Sequence, residues 1–329
     1  MPDNDLLPWQ QAAWLQLSRH REQNRIPQAL LISGSKGMGK YGLAKRFTYS
    51  LLCSNPSDEG WMCGKCRNCQ LIESGTHPDF KQIKPEDEKK IVSVNQIRAV
   101  IADTYLKPQF EKYRVILINP ADGMTISAAN AFLKCLEEPT ERTLFILITD
   151  KPYKLPATIA SRCQKLAIAV PDKMIVIEWM NSTGINENQE TLLNLLQGGI
   201  LRPNQLAETE TLKQRIDCFE DWMAIAKNKN HPSLVSEKWL GIPEPELLNW
   251  IISWVADLIK RCLCNSNKFL YNIDLTRYFN DIPNEIEIKR LFELYGFLLT
   301  TQQLLDTQVN FQTLTEEILV KWQQLNGRN

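Results

Sequence analysis

Two groups of residues in this chain have the types and spacing to do chemistry, and they lie close together in sequence. The first, Gly34-Ser35-Lys36-Gly37-Met38-Gly39-Lys40-Tyr41, follows the phosphate-loop pattern G-x-x-x-x-G-K-[ST] up to its last position. In such a loop backbone N–H groups cradle phosphate oxygens, the lysine reaches the outer phosphates, and the closing hydroxyl binds Mg²⁺. Gly34, Gly37, Gly39 and Lys40 meet the first two demands. Tyr41 fails the last, because a phenolic oxygen lies well beyond the place of a serine oxygen. The second group is Cys53, Cys63, Cys66 and Cys69, spaced C-x9-C-x2-C-x2-C. Four thiolates at that spacing can close around one tetrahedral Zn²⁺, and each C-x2-C step suits a tight metal turn. With four protein ligands and no open position, such a zinc is structural. A labile disulfide pair or free thiols are the blander readings, and no other redox signal favours an iron–sulfur cluster.

The acids that would complete the phosphate loop are missing. The apolar run Val115-Ile116-Leu117-Ile118 ends in Asn119-Pro120, where a hydrolysing P-loop protein carries two carboxylates. Phosphoryl transfer depends on positioning and charge compensation by such groups. A loop without the hydroxyl and without both acids is expected to give no useful turnover. Passive binding of ATP, ADP or phosphate stays open, and so does the reading of the glycines as a mere tight turn.

The elements that must position these groups follow from periodicity. Gln28 to Ser33 is a short apolar run leading into the glycine loop, which predicts a buried strand. Gly42 to Leu52 reads as a helix with Leu43, Phe47, Leu51 and Leu52 on one side, delivering Cys53 at its end. The other three cysteines fall on a segment read as a loop. Trp9 to Arg21 has the pattern of an amphipathic opening helix. Pro78–Ile83, Arg114–Ile118, Thr143–Thr149 and a piece of Ser161–Val170 read as further strands. Val94–Tyr105 and Ile126–Glu138 read as helices, the second stopped by Pro139. This alternation predicts a parallel sheet covered on both faces. Beyond Pro171 the strand signal fades. Met174–Asn181 and Gln189–Leu196 form a short helical module closed by Gly198-Gly199, and from about Ala207 the pattern is helical. Trp222, Trp239, Trp250, Trp254 and Trp322 are available there for a core. The expected organisation is an α/β P-loop domain over 1–168, a small helical domain over 169–208 and an all-α domain over 209–329.

The chain has 329 residues, 43% hydrophobic and 23% charged, with Lys+Arg and Asp+Glu equal at 38. Gripping DNA alone normally needs a basic excess, so any nucleic-acid contact is expected to be local or shared with partner chains. No apolar run reaches bilayer length, and the acidic start Met1-Pro2-Asp3-Asn4-Asp5 lacks the regions of a signal peptide. Nine cysteines, an odd number, fit a reducing compartment better than a fully disulfide-bonded chain. A soluble, cytoplasmic protein is expected. Cys135, Cys163, Cys218, Cys262 and Cys264 are read as buried thiols, and His20, His77 and His231 are scattered with no nucleophile near them. His77 is expected to orient the turn into the second strand.

From Asn130 to Pro139 and at Ser161-Arg162-Cys163 the chain resembles the delta-prime subunits of bacterial DNA polymerase III clamp loaders, members of the AAA+ superfamily. Pro8-Trp9, Gly37-Met38-Gly39, and the four cysteines followed by Gly75-Thr76-His77-Pro78-Asp79 extend the likeness. So do Leu155-Pro156, Ala160 to Cys163, and Val309-Asn310, so that it spans essentially the whole chain and is densest up to about residue 170. The resemblance implies an AAA+ domain, a helical lid over 169–208 and a helical collar for oligomerisation over 209–329. It also implies a hetero-pentameric ring with gamma/tau and delta subunits, which uses ATP to open a sliding clamp and place it on primed DNA. That ring serves a DNA-directed DNA polymerase, a nucleotidyltransferase. Within it, Arg162 occupies the place of an arginine finger directed at ATP held by a neighbouring gamma/tau subunit. A guanidinium against developing phosphoryl charge can supply several orders of magnitude in rate. Thr149 falls at the first-sensor position and Arg202 near that of a second sensor. Retention of Lys40 departs from the best-known defective loops of this family. Two rivals stand beside this reading. An active P-loop ATPase is opposed by Asn119-Pro120, and a freestanding zinc-dependent nucleic-acid-binding protein is opposed by the zero net charge.

Overall fold

The computed structural model describes residues 6–86, 91–110, 112–138, 140–185, 189–197, 209–264, 270–279, 287–305 and 310–326. The chain separates into two compact units, Met1–Ile175 and Val176–Asn329.

The first unit opens with helix α1 (Gln11–Glu22), then strand β1 (Ala29–Ser33), helix α2 (Lys40–Leu52) and the short helix α3 (Arg67–Glu73). There follow β2 (Phe80–Ile83), α4 (Val94–Thr104), β3 (Arg114–Ile118), α5 (Ile126–Glu137), β4 (Thr143–Thr149), α6 (Ala157–Ala160) and β5 (Gln164–Ala167). All strand pairs are parallel, in the order β2-β3-β4-β1-β5. The three inner strands are almost wholly buried, which explains why they are apolar runs rather than alternating patterns. The two edge strands carry Lys81, Gln82, Gln164 and Lys165, which water can reach. One face of the sheet is covered by α4 and α5, with Phe132 edge-on to Phe145 at 5.1 Å between ring centres. Capping fixes where these helices start. Ser93 and Gln96 close a reciprocal box at α4, and the Thr125 hydroxyl accepts from Ala128 N–H at α5.

Order and register together place the candidate site. β1 lies between β4 and β5, and Ser33 pairs with Thr149. The loop after β1 therefore emerges beside the loop after β4, at the carboxyl ends of the strands where open α/β sheets form their crevices.

Helix α7 (Lys173–Ser182) runs across the division between the units. The rest is helical: α8 (Gln189–Gln197), α9 (Thr209–Ala226), α10 (Pro232–Lys238), α11 (Glu244–Cys264), α12 (Thr276–Phe279), α13 (Ile288–Leu304) and α14 (Phe311–Asn326). Gly198-Gly199, Arg202 and Val309 lie outside the described residues. Trp222 and Trp322 stack with ring centres 3.6 Å apart, and Phe219 meets Trp254 and Phe279 edge-on. All five tryptophans singled out from the sequence here are buried, which closes their faces to bases. The fully buried Arg215 donates to Asn272 Oδ1 at 2.6 Å and pairs with Asp274. Among the described residues, no helix is long and apolar enough to cross a membrane.

Candidate functional site

The glycine loop leads from β1 into α2 as its sequence requires. A Cβ on Gly34 would stand 2.6 Å from the Ile168 carbonyl oxygen, and one on Gly39 2.5 Å from the Gln10 side-chain nitrogen. Gly39 is also left-handed, at φ 75, so both positions exclude a side chain. Lys40 is buried, and all three donors of its ammonium are in use. Its Nζ donates to the carbonyls of Gly34 at 2.7 Å and Ser35 at 2.6 Å, and pairs with Asp150 Oδ1 at 2.6 Å. The Met38 carbonyl accepts from Gln10 Nε2 at 2.7 Å, tying the loop to the start of the chain. Tyr41 turns away from the loop and donates its hydroxyl to Gln82 Oε1 at 3.0 Å. Thr149 donates to Asp122 Oδ1 at 2.6 Å. Asp122 and Asp150 thus bring two carboxylates to this region that motif reading missed, and each is held by a protein partner.

The four cysteines converge at the other end of α2. Cys53 caps that helix, with its N–H on Tyr49 O, while Cys66 is the N-cap of α3 and Cys69 lies in its first turn. The segment read as a loop therefore contains a helix, whose seven residues are too few to show a clear apolar period. The sulfurs all lie within 4.8 Å of one another, with Cys66–Cys69 at 3.4, Cys53–Cys69 at 3.6, Cys63–Cys69 at 3.9 and Cys53–Cys66 at 4.0 Å. A tetrahedron with metal–sulfur bonds of about 2.3 Å has edges of about 3.8 Å, so these thiols fit one such ion. Backbone N–H groups of Cys63, Cys66 and Cys69 donate to the sulfurs of Cys53, Cys63 and Cys66, a setting that favours thiolates. Burial raises the Cys53 thiol, whereas at Cys66 hydrogen bonds from Ser54 and Cys69 outweigh burial and bring it down to about 6.

The module is clamped to the body by contacts absent from any motif. Arg46 lies between the rings of Trp14 at 4.4 Å and Trp61 at 3.6 Å. Asn68 donates to the Leu52 carbonyl at 2.7 Å and Lys112 to that of Cys53 at 2.5 Å. His77 accepts from Asp79 N–H at 3.1 Å and so shapes the turn into β2, as expected. Asp79 in turn accepts from the N–H groups of Gln109 and Phe110 and faces Arg114 at 3.4 Å. Cys135, Cys163 and Cys218 are buried, and burial pushes Cys163 up to about 11 and Cys218 to about 12. Cys262 and Cys264, expected to be buried, are exposed at the end of α11.

Arg162 lies between α6 and β5, half exposed. Its Nη2 pairs with Glu137 Oε1 at 2.9 Å and its Nη1 donates to the Thr158 carbonyl at 3.1 Å. Gln164 pairs with Leu30 at the start of β1, whereas the phosphate loop leaves its far end. The rise from Leu30 to Gly34 alone is about 13 Å. The structure therefore brings Gly34, Gly37, Gly39 and Lys40 together, brings the four cysteines together, and sets Arg162 at the opposite end of the strands from its own loop.

This strand order, with a glycine loop at the switch between β1 and β4 and a helical second unit, defines an AAA+ P-loop protein. Two family models match the chain: DNA polymerase III, delta subunit, over residues 9–172, and DNA polymerase III, delta subunit, C terminal, over 209–324. DNA polymerase III subunit delta' of Pseudomonas aeruginosa is 31% identical, covering 98% of this chain and 99% of that one. The subunit delta' of Escherichia coli is 28% identical, covering 95% and 94%, and that of Bacillus subtilis 26%, covering 92% and 93%. Among solved structures, a gamma subunit-related protein of Thermotoga maritima aligns with a TM-score of 0.46 at 17% identity, covering 95% of this chain and 99% of that one. The chain belongs to the DNA polymerase III delta-prime subunit family.

Proposed function

We propose that this chain is a non-hydrolysing subunit of a DNA polymerase III clamp loader and contributes Arg162 in trans to ATP on a neighbouring gamma/tau subunit. The observation that carries this reading is the placement of Arg162. Its guanidinium is reachable from solvent, held among the described residues by an exposed carboxylate and one carbonyl, at the end of the strands opposite its own phosphate loop. An exposed ion pair of this kind is worth about 0–1 kcal/mol, little enough for a neighbour's phosphate charge to displace it. The loop supports the same reading from the other side. Lys40 is saturated by Gly34, Ser35 and Asp150, and Asn119-Pro120 stand where catalytic acids would be.

In this proposal Cys53, Cys63, Cys66 and Cys69 hold one structural Zn²⁺, residues 169–208 form a lid, and residues 209–329 join the collar of a hetero-pentameric ring. Gamma/tau and delta are the partners, and the sliding clamp and primed DNA are met through the complex. Reconstituting that complex and comparing ATPase rates for the native chain and Arg162→Ala tests it. The variant is expected to lower the rate by roughly a thousandfold at the affected site, the low end of what such an arginine supplies. An unchanged rate refutes the assignment, as does magnesium-dependent ATP turnover by the isolated chain.

A further inference from the structure

Three features set the glycine loop apart from a working phosphate site, and they differ in what they touch. Tyr41 turns away to Gln82, and its ring lies near the ammonium groups of Lys45 at 5.3 Å and Lys84 at 5.8 Å. Asn119-Pro120 follow β3, which β4 separates from β1. The third feature is Asp150. Among the described residues, the partners of Lys40 Nζ are the carbonyls of Gly34 and Ser35 and the carboxylate of Asp150. The glycine turn itself is kept. Gly37 and Gly39 hold φ of 88 and 75, left-handed values of the kind found in anion-binding backbone nests.

Strand register delivers Asp150 to the lysine. Ser33 pairs with Thr149, so the residue after Thr149 meets the loop that follows Ser33. Thr149 pins that turn, accepting from the Lys151 N–H at 3.0 Å and donating to Asp122 Oδ1 at 2.6 Å. The carboxylate is thus held in place before any ligand comes. Its Oδ1 stands 2.6 Å from Nζ, the distance of a charge-assisted bond, and takes the donor that a phosphate oxygen would need. Lys40 is 4% exposed and Asp150 39%, so the carboxylate is the side of the pair that water reaches. An entering phosphate must part this pair, then share a buried lysine with a second anion. A tethered carboxylate stays at any dilution, whereas a free phosphate does not.

We propose that Asp150 is a built-in substitute for phosphate, an autoinhibitory contact behind which a latent site for the phosphates of a nucleotide survives. Asp150 then accounts for lost phosphate affinity, and Tyr41 with Asn119-Pro120 for lost metal and hydrolysis chemistry. This inference rests on the loop geometry and not on Arg162, so the isolated full chain decides it without a gamma/tau partner. The test titrates ADP in magnesium-free buffer by calorimetry into the native chain, Asp150→Ala, Asp150→Asn, Tyr41→Thr and the double variant Asp150→Ala with Lys40→Met. The native chain and Tyr41→Thr are expected to bind more weakly than about 1 mM, and Asp150→Ala about tenfold or more tighter than either. Asp150→Asn keeps the size of the side chain without its charge and is expected to fall between, even if the alanine variant folds poorly. The double variant is expected to lose the gain, which places ADP on the lysine. Native binding as tight as that of Asp150→Ala overturns the proposal, as does the absence of any gain in both Asp150 variants. So does a gain that survives Lys40→Met, or an equal gain in Tyr41→Thr.

Discussion

Helix α2 has a ligand-ready constellation at each end, and the two have opposite fates. At its start the glycine loop keeps the backbone and lysine of a phosphate site, yet the lysine's donors are consumed by Gly34, Ser35 and Asp150. At its end four sulfurs converge at metal-binding spacing, where backbone N–H groups and Ser54 hydrogen-bond them. A buried cation with its own carboxylate and carbonyls has little to gain from a phosphate. Four thiols pressed together have much to gain from an ion, because binding it turns their proximity into folding free energy. Completeness of a motif and availability of its groups are separate properties.

The largest effect that would sharpen this contrast lies at the cysteines. Zinc analysis is expected to find one ion per chain, and Cys69→Ser to lose it at a cost of several kcal/mol, since structural zinc sites in small modules contribute about 10 kcal/mol or more. A chain purified without metal, and indifferent to chelator, would erase the contrast. Next in size is Lys40→Met, which strands two carbonyls and Asp150. It is expected to lower stability by about 1–3 kcal/mol, read as a shifted denaturant midpoint at constant slope. In the native chain ATP is expected to leave that midpoint unmoved. A ligand present at a hundred times its Kd would add about 2.7 kcal/mol, so a clear shift would show the loop open to nucleotide.

Smaller again is a pH effect at His77, just after the cysteine module. Burial holds His77 below its ordinary 6.5, so on acidification the unfolded chain takes up this proton first. Its contribution is whole above about pH 6.5 and declines as pH falls towards the folded value, by at most about 1.4 kcal/mol per pH unit. Acid also protonates the thiolates, so the two are told apart by His77→Gln, which should flatten only the histidine part. If the slope survives that change, His77 is not its source. The least disruptive test is alkylation followed by mass spectrometry. Cys262 and Cys264 are expected to react at once and the four converging thiols only after chelation, while Cys135, Cys163 and Cys218 stay protected by burial. Early labelling of Cys63 or Cys66 would mean the cluster holds no ion.

The inner strands were legible to within a residue because a strand covered on both faces must be apolar throughout, and few other segments are. Helix α3 was not, since its residues were chosen for sulfur ligation rather than for an apolar stripe. The exposure of Cys262 and Cys264 was also hidden, because cysteine suits an interior so well that its type argues for burial. The grip of Trp14, Arg46 and Trp61 on the cysteine module left no signal either, as each residue alone is ordinary.

Sequence alone determined the glycine-loop pattern, the spacing of Cys53, Cys63, Cys66 and Cys69, and the presence of Asn119-Pro120 rather than carboxylates after the third strand, since each is a matter of which atoms are present at a fixed spacing. Only the tertiary structure decided that Asp150 would meet Lys40, that Arg162 would stand at the opposite end of the strands from that lysine, and that Thr149 would be pinned to Asp122. The reason is physical. Parallel strand order and register set those meetings, and they bring together residues far apart in the chain whose own types do not announce each other.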